Sequence, residues 1–121
     1  MSESPLMIKS KAFALEVIRA CKVLREARCE SALINQFLRS GTSIGANIAE
    51  AQRGQSTPDF ATKMCIALKE ANETETWLNV LFKSGSISEP TFKFLRNKCG
   101  KIRRMLIASI TTVKSKMNGQ K

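Results

Sequence analysis

Glu70, Glu73 and Glu75 crowd one short stretch, and Glu50 lies within the glycine-rich run SGTSIGANIAEAQRG, residues 40–54. Four cysteines, Cys21, Cys29, Cys65 and Cys99, are spread along the chain. Clustered carboxylates could hold a hard cation, a lone glutamate could act as a general base, and a glycine-rich turn could cradle a phosphate. The chain has no histidine, so a Ser-His-Asp or Cys-His nucleophile, a His-containing zinc site and a Glu-x-x-His di-iron bundle cannot be assembled from it. Glu75 falls on a different helical face from Glu70, and Glu50 has no nucleophile to activate. No two cysteines have C-x-x-C spacing, which leaves a zinc ribbon or thiol redox motif without support. The expectation is a protein that is not an enzyme, with no catalytic residue, no metal and no cofactor.

The glycine-rich run reads as helix rather than as a phosphate loop. A phosphate-binding loop of that kind ends in Gly-Lys-Ser/Thr after a strand. Here the run contains no lysine, and Ile44 and Ile48 keep a helical interval. Arg39, Ser43, Asn47 and Glu50 follow one another at steps of four, four and three, which places them on a single stripe. Gly41, Gly45, Ala46, Ala49 and Ala51 keep much of the remaining surface small. Each glycine inside a helix lowers its stability by about 1 kcal/mol against alanine, a loss that the close approach of another backbone can offset. The stripe is expected to form a polar seam within the bundle or a contact between subunits. A solvated face is the alternative.

Such a stripe has to be carried by long helices. Residues 10–28 hold neither Gly nor Pro, and Phe13, Val17, Cys21 and Leu24 recur at three and four, predicting a first helix over about residues 8–29. The segment ARCESAL offers no strong breaker, and Ser31 is the expected cap of a second helix over about 31–53. Thr57, Pro58 and Asp59 supply a cap, a first-turn proline and an acid at the positive end of a dipole, predicting a third helix over about 58–83. Gly85 stops it, with Ser86 or Ser88 as the next cap. The fourth helix, about 89–117, carries a heptad-like seam of Phe92, Leu95, Cys99, Ile102, Leu106, Ser109 and Val113. No alternation of period two is present. These features predict a single all-α domain over residues 1–121, an antiparallel up-down four-helix bundle. The opening MSESPLMIKSKAF has no apolar core of a signal peptide, and no apolar run reaches the roughly 20 residues of a membrane span. The expected setting is cytoplasmic and reducing, with no membrane partner.

Lysine and arginine number 20 against 10 acids, a formal charge of +10. From Phe92 onward there are nine Lys/Arg and no acid. Lys93, Arg96, Arg103, Arg104 and Lys114 share one sector of the helical circumference beside the apolar seam. Lys98, Lys101 and Lys116 flank the other side. This pattern makes Lys93, Arg96, Lys101, Arg103, Arg104 and Lys114 the candidate nucleic-acid-binding residues, acting through sequence-independent attraction to phosphates. A basic surface that meets acidic groups of a protein partner is the other reading. The Phe residues and Trp77 mostly occupy core-type positions, so stacking on bases has little support.

The segment LRSGTSIGANIAEAQRGQSTPDFATKMCIALKEANETETWL resembles the signature of the 23S rRNA intervening-sequence protein family, a group of four-helix bundle proteins. The resemblance is carried by Arg39, Ser43, Ile44, Asn47, Ile48, Ala49, Glu50, Phe60, Ala67, Leu68, Glu70 and Glu73; Ala51 stands where the family usually has glycine. It implies a bundle that assembles into a homo-oligomeric ring, typically a pentamer. Some members are encoded within insertions in ribosomal RNA genes, and others are accessory proteins of diversity-generating retroelements that contact a reverse transcriptase and RNA. The expected function is a basic, ring-forming bundle that binds nucleic acid, RNA rather than DNA, as a ribonucleoprotein scaffold. The alternative is an adaptor that docks an acidic, polymerase-type protein such as a reverse transcriptase.

Overall fold

The computed structural model describes residues 3–119. It contains four helices, α1 (Pro5–Glu26), α2 (Ser31–Gln52), α3 (Thr57–Lys83) and α4 (Glu89–Gly119), and no strand among the described residues. Connections of a few residues turn the chain back between them, and α1 packs on α2, α2 on α3, α3 on α4 and α4 on α1. The α2–α3 contact is the most extensive and the α1–α4 contact the least, so the bundle is most open along its α1–α4 seam.

The helix ends follow local capping chemistry, which moves several of them from the positions expected. α1 begins at Pro5 rather than near residue 8, because the Ser4 hydroxyl accepts from the Met7 amide at 3.1 Å and the proline occupies the first turn. It ends at Glu26 rather than near residue 29. There Arg28 adopts φ 61°, and the amides of Arg28 and Cys29 reach the Arg25 and Leu24 carbonyls at 3.0 Å. This is a Schellman ending with an arginine in the left-handed position usually held by glycine. The end of α3 uses the same pattern with Gly85 at φ 78°. Ser31 does not cap α2; Glu30 stands at the cap position and makes no side-chain bond there. Ser56, not Thr57, caps α3 by accepting from the Asp59 amide at 3.2 Å, which shifts Pro58 to the second helical position. Ser88 caps α4 through the Thr91 amide at 3.3 Å.

One core runs the length of the bundle. Phe13, Val17, Cys21 and Leu24 of α1 meet Ile34, Phe37, Ile44 and Ile48 of α2, with Met64, Leu78 and Leu81 of α3 and Leu95, Ile102 and Leu106 of α4 completing it. Toward the end of α4, Ile110 is buried while Ser109 is only half-buried. An α-helix has 3.6 residues per turn, so a strict heptad seam drifts by about 20° per repeat, and the burial follows the drift. The Cys99 thiol points to the Ala71 carbonyl at 3.5 Å, and burial pushes its pKa up to about 12. It behaves as an inert core group.

Candidate nucleic-acid interface

The glycine-rich run lies inside α2 up to Gln52, and the faces of the helix have separate tasks. Gly41 and Gly45 face α1. A Cβ added at Gly41 would stand 2.9 Å from Val17 Cγ2, whereas one at Gly45 would meet Ser10 Cβ at 3.5 Å. Ser10 is fully buried, and its hydroxyl returns to the Leu6 carbonyl at 2.7 Å. The small residues therefore allow α1 and α2 of the same chain to approach closely.

The polar stripe borders α3. The Arg39 guanidinium donates to Glu70 Oε2 at 3.1 Å and also to Glu73 Oε1, which in turn accepts from the Trp77 indole at 3.4 Å. Arg39 holds the Glu73 carboxyl below the usual carboxylate range, assisted by Trp77, and its own pKa is raised chiefly by Glu73. At the other end, Lys63 lies 2.7 Å from Glu50 and lowers its pKa. Between them Ser43 donates to the Arg39 carbonyl at 2.6 Å, and Asn47 donates to the Ser43 carbonyl at 2.9 Å. Arg39, Ser43, Asn47 and Glu50 thus form a seam tied by in-chain bonds to α2 itself and to α3. Glu50 is the ion-pair partner of Lys63.

The cations of α4 present a different environment. Lys93 pairs with Glu89 at 2.8 Å, one turn earlier. Arg103 Nε lies 3.4 Å from Glu75 Oε2 of α3, buried and without the alignment of a hydrogen bond. The Arg96 guanidinium sits 5.0 Å from the centre of the Phe92 ring, and the Lys98 ammonium 4.9 Å from that of Phe94. A guanidinium nitrogen of Arg104 folds back to 3.4 Å from the place a Cβ would take on Gly100, so this glycine opens room for it. Among the described residues, Arg96, Lys98, Lys101, Arg104 and Lys114 form no ion pair.

A concavity of about 860 Å³ runs beside α4 and reaches the first half of α1. Arg96, Lys101, Arg103 and Arg104 line it; Lys93 and Lys114 do not. Lys98 and Lys9 add two further cations, and Glu75 is its one acid. Lys9 comes from the first helix, so nothing in the charge pattern of the fourth could have pointed to it. Phe94 also lines this concavity and is 46% exposed. The other aromatic residues, Phe13, Phe37, Phe60, Trp77, Phe82 and Phe92, are buried in the core or packed against it, so Phe94 is the exception. The signal lay in the numbering, because Phe94 falls between the seam positions Phe92 and Leu95. Glu70, Glu73 and Glu75 are each engaged by an arginine of the same chain, an arrangement of ion pairs rather than of cation ligands. No helix among the described residues is long and apolar enough to cross a membrane.

The model of the 23S rRNA-intervening sequence protein family matches residues 3–108 of this chain. A crystal structure of a protein of unknown function from the S23 ribosomal protein family of Bacteroides thetaiotaomicron is similar, at 43% identity and a TM-score of 0.85. The match covers 87% of this chain and 97% of that one. A comparison with curated proteins finds no match.

Proposed function

Because the chain belongs to the 23S rRNA-intervening sequence protein family, we propose that its basic fourth helix binds nucleic acid, RNA in preference to DNA, as the scaffold of a ribonucleoprotein. The observation that carries this reading is the imbalance on α4: nine Lys/Arg and no acid from Phe92 onward, with Glu70, Glu73 and Glu75 of neighbouring α3 already engaged by Arg39 and Arg103. Cations without in-chain partners are free to neutralise phosphates and release the counterions condensed there. No base-specific contact is required, so the affinity is electrostatic and steeply dependent on salt. The preference for RNA rests on the family's name, which ties it to ribosomal RNA.

The scaffold is a homo-oligomer, with a five-membered ring as the expected form. Its support is an apolar patch on the outside of α1, where Leu15 and Ile18 remain exposed. Residues spaced like these cover one side of a helix, the usual mark of a helix with a partner still to meet. A ring would repeat the basic face and multiply weak contacts through avidity.

The test is titration of labelled RNA and DNA between 50 and 300 mM salt, with light scattering on the free protein. The expected result is a linear fall of log affinity with log salt, made shallower by joint replacement of Arg96, Arg103 and Arg104 with alanine. Each phosphate left without its cation should reduce the slope by roughly 0.7–0.9. Absence of binding to RNA, DNA and heparin near 100 mM salt would refute the reading and leave the basic face to an acidic protein such as a reverse transcriptase. A monomer at micromolar concentration would refute the oligomer.

A further inference from the structure

We infer that the nucleic acid is held as a single strand, with an unpaired base stacked on Phe94 and its backbone on the flanking lysines and arginines. The inference rests on the nucleic-acid reading above and specifies the form of the ligand.

Phe94 occupies a singular position. It is the one residue that lines both of two adjoining concavities. The first is the basic one, where Lys9, Arg96, Lys98, Lys101, Arg103 and Arg104 face a lone acid that Arg103 already engages. The second, of about 530 Å³, lies between the latter half of α1 and the start of α4, with Ala20, Val23, Leu24, Ile87, Pro90 and Leu95 among its lining. An exposed aromatic ring at the junction of a cationic groove and an apolar recess offers two kinds of contact at once. The cations suit phosphates, and the ring and recess suit the flat faces of bases.

A duplex can use only the first kind. The faces of its bases are stacked inside, and what it exposes is phosphate, sugar and base edges. A single strand turns its bases outward and can place one against an aromatic ring, a contact tolerant of base identity because every base has a π-face. Lys98 already sits over the Phe94 ring, so a phosphate next to the stacked base would find an ammonium in place. Charge disfavours a second copy of this chain as occupant of the basic groove. Its formal charge is also +10, and among the described residues seven of its acids are already in ion pairs within the chain: Glu3, Glu16, Glu50, Glu70, Glu73, Glu75 and Glu89.

The experiment measures fluorescence anisotropy of a labelled oligo(U) strand, a blunt-ended RNA duplex of equal length, and heparin competition, all at one salt concentration. The proteins are the full chain and its Phe94→Ala and Phe94→Trp variants, with light scattering on each. The wild type should bind the single strand more tightly than the duplex. Phe94→Ala should weaken the single strand by about ten-fold or more and leave duplex and heparin unchanged, while Phe94→Trp retains binding and shows quenching by oligo(U). Unchanged single-strand binding in Phe94→Ala, or equal loss on all three polyanions, would overturn the stacking role while the electrostatic reading stands. A smaller mass for Phe94→Ala without nucleic acid would overturn it in favour of a contact between copies. If no polyanion binds the wild type, both readings fall.

Discussion

Replacing Gly41 with alanine should leave the protein less stable than replacing Gly45 with alanine. Both substitutions add the same methyl group to the interior of α2, and each gains about 1 kcal/mol of helix propensity. They differ in what the methyl meets. At Gly41 it would lie 2.9 Å and 3.0 Å from the two γ-carbons of Val17 and 3.3 Å from its Cβ. Val17 is fully buried, and a β-branched side chain on a helix has one strongly preferred rotamer, so it cannot swing aside. Overpacking of this kind costs about 1–3 kcal/mol, which cancels or outweighs the propensity gain. At Gly45 the nearest atoms stand at 3.5 Å and 3.6 Å, ordinary contact distances, and the second of them ends the flexible side chain of Met7. Gly45→Ala should therefore be neutral or stabilising by up to about 1 kcal/mol. The propensity contribution is common, so the difference between the variants isolates the clash at about 1–3 kcal/mol. Urea unfolding at matched protein concentration measures it, and in melting temperature each 1 kcal/mol is worth roughly 4 °C for a chain of this size. Val17→Ala in the Gly41→Ala background should recover at least about 1 kcal/mol relative to the sum of the single changes. Equal stability of the two alanine variants, or strict additivity with Val17→Ala, would refute the close approach of α1 and α2 at this point.

Two further perturbations probe other parts of the fold. Arg28→Gly should stabilise the protein by about 1 kcal/mol, because an L-residue at φ 61° carries a steric penalty that glycine lacks; a melting temperature at or below that of the wild type would contradict the strained ending of α1. Glu73 has its folded-state pKa lowered, so the stabilisation it draws from Arg39 is present above its ordinary value of 4.5 and disappears as the pH falls through the lower folded value. Arg39→Gln should then lower stability at pH 7 by roughly 1 kcal/mol or less, as for exposed pairs, and converge on the wild type as the pH falls through the lowered Glu73 value. A constant gap across that range would show that Arg39 acts through packing rather than charge.

The helices themselves were legible in the sequence because helical periodicity is a local property. Phe13, Val17, Cys21 and Leu24 share a face whatever they pack against, and all four are buried. The continuous helix through Ser40 and its neighbours was readable for the same reason. The acid-free stretch after Phe92 was also determined by sequence alone. The helix ends were less legible. A Schellman turn needs only one left-handed residue, and an arginine at that position leaves no mark in the composition.

What only the tertiary structure decided is which face meets which neighbour. The spacing of Gly41 and Gly45 marks both as small, yet only the crossing with α1 brings Val17 onto Gly41 and the shorter Ser10 onto Gly45. Glu70, Glu73 and Glu75 look alike along the chain, but the placement of α3 between α2 and α4 gives the first two to Arg39 and the third to Arg103. Lys9 joins the basic groove from a helix more than 80 residues away from Arg96 in sequence. Side-chain periodicity fixes the angle of a residue about its own helix axis. The distance and crossing of two axes depend on the packing of all four helices together, and no single stretch of sequence contains that information.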